Sequence, residues 1–273
     1  MKKKIICGIT GYTGSIGKNL IKNTKNFKFI YFKKDIINEK FVDNWIKKNK
    51  LDIVIHLAAI VPIKVVNDDK KKAYRVNVSG TKNLVNAILN NKNDIKWVFF
   101  SSTSHVYSSS KKKIKENSLI QPISYYGKTK YLAEKEIKRL KKKKIKFCIG
   151  RIFSTTNSNQ RKSYLVPDLK RKIKKLKEPI ILENLNHFRD FISVDDISKI
   201  IVNLSKKKFN GIINIASGKK TKLSDIAEII SRKFKKKIQI KKNKKPSYLI
   251  ANNNLLKMVY KPKIKTQIKN LIF

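Results

Sequence analysis

The chain has 273 residues, a length that suits one large domain or two small ones with a real hydrophobic core. Hydrophobic residues make up 41% of it, and no apolar run reaches the roughly 20 residues needed to cross a membrane. The formal net charge is +48, but only seven of the basic residues are arginine, and the lysines are spread over the whole chain. This distribution favours a solvated lysine-rich surface over a nucleic-acid-binding face, although the field should attract anionic ligands such as nucleotides.

Cys7 and Cys148 both lie in short apolar runs. This predicts buried thiols in a reducing cytoplasm, with no disulfide and no metal site. The apolar run after the N-terminal lysines is too short for a signal peptide and is predicted to form the first strand, over residues 4–9. We therefore expect a cytoplasmic protein.

Three glycines follow this strand at regular spacing. Gly11, Gly14 and Gly17 read G-x-x-G-x-x-G and precede a helical run over residues 18–22. Between a strand and a helix, such glycines allow a tight turn, a close approach of backbone to a pyrophosphate, and a helix N-terminus aimed at negative charge. The alternative is an ordinary glycine-rich turn. The context favours a dinucleotide-binding loop.

The next two predicted strands also end in informative residues. The strand over residues 27–32 is followed by Lys33 and Lys34, which favour the 2′-phosphate of NADP, or are merely two more lysines of a lysine-rich chain. A helix is predicted over residues 39–48. The strand over 52–59 ends in Ala58 and Ala59, whose small side chains let a flat cofactor lie close, and we interpret His56 as a packed strand-end residue.

Tyr126 and Lys130 lie four residues apart in a predicted helix that runs to about residue 141. On one helical face, the ammonium would lower the pKa of the phenol and prepare it for proton transfer near pH 7. In a chain so rich in lysine, the spacing alone also describes an ordinary surface helix. Before this helix, hydroxyl residues 101–104 follow a predicted strand over 97–100, at the place where parallel sheets bind ligands.

Strands and helices alternate through the first half, with a further helix over 74–89 and a strand over 146–151. This predicts an α/β doubly wound parallel sheet, the Rossmann fold, over residues 1–150. Residues 151–273 are predicted to form mainly a smaller α/β substrate-binding domain, with about 189–216 returning to the first domain. In this half we expect a polar loop over 154–163, a strand over 211–216 and a basic strand-like segment over 235–245. Helices are expected over 166–177, up to 205 and over 223–234. Ser224 is the predicted N-cap of the helix over 223–234.

Several separated motifs together resemble the extended short-chain dehydrogenase/reductases, the NAD-dependent epimerase/dehydratase family that acts on nucleotide sugars. They keep the family's order over nearly the whole chain. The matching segments are residues 10–17, Asp35-Ile36, His56-Leu57-Ala58-Ala59, Asn77-Val78-x-Gly80-Thr81, Ser101-Ser102-Thr103 with Val106-Tyr107, Pro122 with Tyr126 and Lys130, Arg151, and Arg189-Asp190-Phe191 with Val194 and Asp196.

The resemblance implies NAD or NADP as cofactor and a role for each matching residue. Tyr126 would be the general acid/base, and Lys130 would bind the nicotinamide ribose and lower the pKa of Tyr126. Thr103, with Ser104 beside it, would hold the sugar oxygen, and Arg189 would face the diphosphate of the substrate. The remaining cofactor residues would be Gly11, Gly14, Ser15 and Ile16 at the pyrophosphate, Asp35 and Ile36 at the adenine, and Ala58 and Ala59 at its flank.

Within the family, 4,6-dehydratases carry an acid and a base just after the catalytic threonine, where this chain has Ser104 and His105. Water elimination is therefore not expected, and His105 is interpreted as a loop residue. Residues 151–168 and 181–191 look similar to the GDP-6-deoxy-4-keto-mannose reductase branch, but the branch's Asn-His-x-Gly-Pro is replaced by Ser154-Thr155-Thr156-Asn157-Ser158. We expect a nucleotide-sugar 4-keto reductase; the alternatives are a 4-epimerase that retains NAD and an inactive nucleotide- or RNA-binding scaffold. The resemblance also implies a homodimer.

Overall fold

The computed structural model describes residues 3–92, 94–157, 160, 164–241, 245–261, 264 and 268–273. Its centre is a sheet of six parallel strands in the order β10-β5-β4-β3-β1-β2. The strands are β1 (Ile5–Thr10), β2 (Phe27–Tyr31), β3 (Ile53–His56), β4 (Trp97–Thr103), β5 (Lys146–Ile152) and β10 (Gly211–Ile215). From the centre, the chain runs from β1 to β2 in one direction and from β3 to β4 and β5 in the other. The order therefore reverses between β1 and β3, and the carboxyl ends of β1, β3 and β4 face one crevice.

Helices cover both faces of this sheet. One face carries α1 (Ser15–Asn23) and α8 (Val194–Lys206), and the other carries α2 (Glu39–Lys48), α5 (Gly80–Asn90) and α6 (Tyr125–Lys138). Side chains of the buried strands alternate between the two cores: Cys7 and Ile9 belong to one and Ile6 to the other. This arrangement confirms the predicted doubly wound parallel sheet.

The helix predicted over residues 74–89 is more complex in the structure. It begins earlier, with α3 (Ile63–Asp68) and α4 (Lys70–Tyr74), and passes through a π-helical turn at Arg75–Ser79 before continuing as α5. A π turn inserts one residue into the helical period and often marks a functional site. Here it turns Asn77, which is fully buried, towards the interior.

The second half of the chain adds a smaller α/β unit with its own apolar cluster, built around Leu169, Ile180, Phe191 and Ile226. Its helices are α7 (Leu165–Lys175), α9 (Leu223–Phe234) and α11 (Ile268–Ile272), whereas α10 (Asn254–Val259) packs against β10 of the large sheet. Its short strands are β6 (Ser154–Thr155), β7 (Ile180–Glu183), β8 (Phe188–Arg189), β9 (Phe191–Ile192), β11 (Thr221–Lys222), β12 (Ile238–Lys241) and β13 (Tyr248–Leu249). Because α8 and β10 belong to the large sheet, we retain as a proposal the division at residue 150 with the return near 189–216.

Two local expectations change. Ser224 is not the N-cap of α9; the helix begins at Leu223 with Lys222 before it, and the Ser224 hydroxyl contacts the Asp225 carboxylate. The predicted polar loop contains the short strand β6, while residues 158, 159 and 161–163 of that loop and 242–244 of the basic segment lie outside the described residues.

Within the described part of the chain, no helix is long and apolar enough to cross a membrane, and both cysteines are buried and free.

Candidate active site

The glycine-rich turn after β1 is built on close backbone contacts. Gly11 has a φ of +68°, and a Cβ there would lie 2.5 Å from the amide nitrogen of Ala58. Only glycine lets the turn lie against the end of β3 in this way. Gly14 then precedes α1 without any side-chain cap, so the first amides of the helix, at Ser15 and Ile16, have no protein side chain to accept them. This geometry fits the pyrophosphate of a dinucleotide.

The end of β2 lies beside this turn. The amide of Phe32 donates to the Ile9 carbonyl, so Lys33, Lys34 and Asp35 follow directly alongside the residues after β1. All three side chains are exposed, and the Asp35 carboxylate accepts a hydrogen bond from the Ile37 amide at 3.0 Å. Ile36 is buried against Gly80 of α5, where a Cβ would meet its side chain at 2.6 Å.

The end of β3 supplies Ala58, Ala59 and His56. Ala58 and Ala59 remain partly accessible at the crevice, whereas His56 is fully buried. The imidazole is 2.7 Å from the Thr10 hydroxyl through Nδ1 and 2.9 Å from the Thr81 hydroxyl through Nε2. Burial lowers the pKa of His56 to about 3, and the charge of Lys130 lowers it further, so the ring is neutral. These contacts support the interpretation of His56 as a packed residue.

Thr103, the last residue of β4, and Tyr126, in the first turn of α6, meet at the same crevice. The Thr103 hydroxyl opposes the rise in the pKa of Tyr126, and only 6% and 8% of the surfaces of the two residues are exposed. Ser124 caps α6 by accepting the Gly127 amide at 3.1 Å, which fixes the turn that carries Tyr126. The arrangement places a phenol and a hydroxyl where both can contact one ligand oxygen.

The expectation that Lys130 lowers the pKa of Tyr126 is not met in this structure. Burial raises the pKa of Tyr126 well above its ordinary value, the neighbouring Tyr164 raises it further, and only the hydrogen bond from Thr103 opposes this. Lys130 is 2% exposed, and its ammonium lies 4.1 Å from the centre of the Phe100 ring. Burial lowers the pKa of Lys130 to about 7, against the attraction of Glu134. Tyr126 therefore holds its proton at neutral pH, and Lys130 is poised near half-protonation.

His105 belongs to the site, which its interpretation as a loop residue missed. Its ring lies edge-on to Tyr126 with the centroids 6.0 Å apart, and its Nδ1 is 3.2 Å from the Ser124 hydroxyl. Burial lowers the pKa of His105 to about 4, and the charge of Arg189 adds to the effect. Its carbonyl is pressed onto Gly127, where a Cβ would approach within 2.1 Å. The sequence did not reveal this contact, since 20 residues lie between His105 and Tyr126.

A buried ion pair next to the site joins α6 to the strands β4 and β5. The Arg151 guanidinium donates to both Glu134 oxygens, at 3.0 and 2.8 Å, and the Ser102 hydroxyl donates to the same carboxylate at 2.5 Å. Glu134 lies on α6, one turn beyond Lys130, while Ser102 and Arg151 lie on β4 and β5. The pair therefore fixes α6 onto the carboxyl ends of two strands, because a broken buried pair would leave an uncompensated charge.

Arg189 and Asp190 lie side by side but have different surroundings. The Arg189 guanidinium donates to the carbonyl and hydroxyl oxygens of Ser247, at 3.1 and 3.0 Å, and burial lowers the pKa of Arg189 to about 10. The Asp190 carboxylate is fully buried and accepts from the amides of Ser217, Gly218 and Ala251. Arg189 is thus held beside the crevice near His105, and Asp190 ties together three distant segments of the chain. Ser104, predicted to contact substrate, is 2% exposed next to Thr103.

The remaining buried charges do not form a metal site. Among the described residues, no group of three or more His, Cys, Asp and Glu side chains is placed to hold a metal ion. The glycine turn, the uncapped N-terminus of α1 and the accessible alanines instead match the shape and charge of a dinucleotide.

Comparison with known proteins gives one family over most of the chain. Residues 7–216 match the model of the NAD dependent epimerase/dehydratase family. A GDP-6-deoxy-D-talose 4-dehydrogenase of Aggregatibacter actinomycetemcomitans is 30% identical over 244 residues, covering 86% of this chain and 82% of the relative. A putative UDP-glucose 4-epimerase of Methanocaldococcus jannaschii is 32% identical over 221 residues, covering 78% of this chain and 70% of the relative.

Solved structures show the same fold at low sequence identity. A Pseudomonas aeruginosa protein in complex with NADPH superposes with a TM-score of 0.87 at 18% identity, covering 98% of this chain and 96% of the other. The UDP-glucose 4-epimerase of Thermus thermophilus in complex with NAD superposes with a TM-score of 0.83 at 19% identity, with the same coverage. At these identities the similarity concerns the fold.

Proposed function

The chain belongs to the NAD dependent epimerase/dehydratase family, and we propose that it is a nucleotide-sugar oxidoreductase that reduces a 4-keto sugar. The observation that carries the proposal is that Thr103, at the end of β4, and Tyr126, in the first turn of α6, are both nearly buried at one crevice, with Lys130 one turn further along the same helix. The relative named as a 4-dehydrogenase, which covers most of this chain, supports chemistry at the same sugar carbon.

The residues at the crevice account for the proton and charge requirements of a carbonyl reduction. Tyr126 is protonated at neutral pH because burial raises its pKa, so it can donate a proton to the alkoxide that develops on the substrate oxygen. Thr103 holds that oxygen through its hydroxyl. Lys130, buried over the ring of Phe100 and one turn from Tyr126, would bind the nicotinamide ribose. Arg189 would face the diphosphate of the substrate.

The cofactor site would use the turn after β1 and the ends of β2 and β3. The pyrophosphate would be surrounded by Gly11, Gly14, Ser15 and Ile16. The adenine would lie beside Asp35 and Ile36, and the flank of the cofactor beside Ala58 and Ala59. A reduced nicotinamide bound there supplies the hydride for the sugar carbonyl. Lys33 and Lys34 lie where an additional phosphate on the adenine ribose would meet positive charge.

An epimerase is the second candidate function. The relative from M. jannaschii carries the name putative UDP-glucose 4-epimerase and covers 78% of this chain. An epimerase uses the same proton transfer at Tyr126, first as base and then as acid, without net consumption of reduced cofactor. The two functions therefore predict different cofactor balances.

The deciding experiment measures cofactor absorbance with NADPH and NADH in turn, against nucleotide-linked 4-keto sugars and ordinary nucleotide sugars. Oxidation of reduced cofactor with a keto sugar is the expected result. Interconversion of two epimers on chromatography, without net oxidation, would assign the epimerase instead. If neither cofactor oxidation nor epimer formation is detected, an inactive nucleotide-binding or RNA-binding scaffold would be favoured.

Tyr126→Phe is the matched control for this experiment. It removes one hydroxyl and keeps the ring that packs against His105. We expect turnover to be lost, by a factor on the order of 10²–10⁴, while cofactor affinity measured by fluorescence stays near normal. Substantial remaining turnover would exclude Tyr126 as the proton donor.

A further inference from the structure

A basic cavity lies at the edge of the large sheet where the strands begin, opposite the crevice that holds Tyr126. Its volume is about 420 Å³, within the size range of pockets that bind small molecules. Eight described residues line it, and five of them are lysines. We call this cavity the lysine hollow, and its lysines are Lys96, Lys143, Lys144, Lys146 and Lys208.

The fold brings these lysines together from three separate segments of the chain. Lys96 directly precedes β4, and Lys146 is the first residue of β5 and lies opposite Trp97 in the parallel pairing. Lys208 follows α8 and comes shortly before β10, the other neighbour of β5. The turn before β5 adds the other two lysines. Since neighbouring parallel strands begin at the same edge of a sheet, residues far apart in the sequence meet there.

Hydrogen bonds fix the three segments to one another. The indole N–H of Trp97 donates to the Phe209 carbonyl at 2.8 Å, and the side-chain oxygen of Asn210 accepts the Phe147 amide at 3.1 Å. The segment that carries Lys208 is therefore held against the starts of both β4 and β5. The backbone around the hollow is organised before any ligand arrives, which lowers the cost of binding one.

The positive charge in the hollow is poorly compensated. The carboxylate of Asp94 is 3.5 Å from the Lys96 ammonium, but its side chain is 95% exposed, so the pair is screened by solvent. The Lys143 ammonium donates to a neutral group, the Asn91 carbonyl, at 3.1 Å. Within the ranges that the structure describes, three further ammonium groups form no ion pair, those of Lys144, Lys146 and Lys208.

Neither the composition nor the helix ends account for this cluster. Lysine makes up about a fifth of the whole chain but five of the eight lining residues. Lys144 and Lys208 follow helical segments, whose negative ends favour basic side chains, whereas Lys96 and Lys146 stand at the starts of strands. A concave surface lined by charges of one sign concentrates the field and attracts an anion of several charges.

We propose that the lysine hollow is a second anion-binding site, which takes a linear chain of phosphates: an inorganic oligophosphate or the triphosphate of a nucleotide. Ammonium groups bind phosphate as point charges, and several of them can contact successive phosphates. None of the described residues that line the hollow is aromatic, so it offers no surface on which bases could stack, as proteins that bind single-stranded RNA do. The site is separate from the crevice and independent of the proposed function.

The test is calorimetric titration of the full chain with inorganic tripolyphosphate at physiological salt. We expect saturable binding, which the double variant Lys146→Gln with Lys208→Gln weakens by at least about tenfold, because it removes two charged contacts. Lys111→Gln with Lys112→Gln removes the same charge from an exposed loop elsewhere and should change the affinity less than about twofold. Absence of saturable binding, or equal weakening by the two double variants, would overturn the proposal.

Titration with ATP and with a mixed-sequence single-stranded RNA identifies the source of the phosphates. Equal affinity for tripolyphosphate and ATP would show that the phosphate chain alone is recognised, and tighter binding of ATP would point to a nucleotide. In both cases the affinity should depend on Lys146 and Lys208. RNA binding that depends on these two lysines, without saturable binding of tripolyphosphate or ATP, would replace the proposal with an RNA-binding surface.

Two controls separate the hollow from the crevice and from stability. The NADPH affinity of the Lys146→Gln, Lys208→Gln variant should change no more than that of the Lys111→Gln, Lys112→Gln variant, since the hollow lies at the opposite edge of the sheet. All the exchanged side chains are exposed, so the midpoints of urea unfolding should stay near that of the wild type. A larger loss of NADPH affinity in the first variant would place the anion in the crevice and overturn the proposal.

Discussion

Lys130 and Tyr126 show how burial alone separates two neighbouring titrating groups. Burial lowers the pKa of Lys130 to about 7 and raises that of Tyr126, so the phenol is neutral at every pH at which the Lys130 ammonium is present. Such pairs, whose environments drive their pKa values apart, are a mark of acid–base sites. The spacing of Tyr126 and Lys130 is visible in the sequence. Their burial is not, because it depends on Phe100 and Thr103, which lie on β4.

The proposed contact of Lys33 and Lys34 with a 2′-phosphate makes a prediction about the choice of cofactor. If they hold a 2′-phosphate, replacing both with alanine should weaken NADPH binding by at least about tenfold and NADH binding far less, because only NADPH carries the additional charge. Isothermal titration with both cofactors measures the difference. Lys47→Ala with Lys48→Ala removes the same charge from the exposed end of α2 and serves as the control. Equal weakening of NADPH and NADH binding would show that Lys33 and Lys34 act only through the general positive charge of the protein.

At the scale of the helices, lysine stands where glycine is usually favoured. Among the described residues, four that are not glycine have positive φ, and three of these are Lys144, Lys208 and Lys235. Lys144 and Lys235 end helical segments in the left-handed conformation. For an L-residue this conformation costs about 1–2 kcal/mol, and a helix-ending glycine avoids the cost. The lysine-rich composition is therefore maintained even at positions where it lowers stability.

Lys235→Gly should consequently raise the free energy of unfolding by about 1 kcal/mol, because glycine adopts the φ of 52° without a steric penalty. Lys233→Gly is the matched control: it lies inside the last turn of α9, where glycine costs about 1 kcal/mol of helix stability. Urea unfolding of both variants measures the two changes. Equal destabilisation by both would contradict the assignment of strain to Lys235.

The elements were largely predictable because hydrophobic periodicity and glycine turns are local signals. The helix over residues 39–48 and the strand that begins at Phe27 follow the sequence closely. The start of α9 at Leu223 was predicted correctly, but its N-cap was not, because the amides of Leu223 and Ser224 are satisfied by the carbonyls of His187 and Leu185, far away in the chain. The π turn was hidden for the same reason, since the bonds of Asn77 reach Ile60 and Thr129.

Across the whole molecule, buried neutral histidines make stability depend on pH. The folded-state pKa values of His56 and His105 lie at about 3 and about 4, below the ordinary value near 6.5. As the pH falls below 6.5, the unfolded chain binds protons that the folded protein cannot accept. The contribution is therefore fully present above about pH 6.5 and is lost as the pH falls towards 4 and then 3.

We expect the free energy of unfolding in urea to decrease steadily between pH 6.5 and 4. The net charge of +48 also rises as carboxylates are protonated, but repulsion between exposed charges is screened by salt, whereas protonation of a buried imidazole is not. Measurements at low and at high NaCl concentration separate the two causes. His105→Asn should reduce the slope, and a pH dependence that disappears in high salt would exclude the histidines as its cause.

The homodimer implied by the resemblance to the family stays a prediction. Sedimentation equilibrium measures it directly, and a monomer at micromolar concentration would contradict it. The high positive charge opposes self-association at low ionic strength, so the measurement needs physiological salt.

The position of β10 at the edge of the large sheet has a consequence for synthesis on the ribosome. β5 ends at Ile152, but its outer partner β10 ends only at Ile215. At translation rates of about 5–20 residues per second, the hydrogen-bonding edge of β5 stays uncovered for roughly 3–12 seconds while the intervening residues are made. An open edge of this kind can pair with another nascent chain. During this interval the growing protein is most dependent on chaperones, and slow codons between the two strands would prolong its exposure.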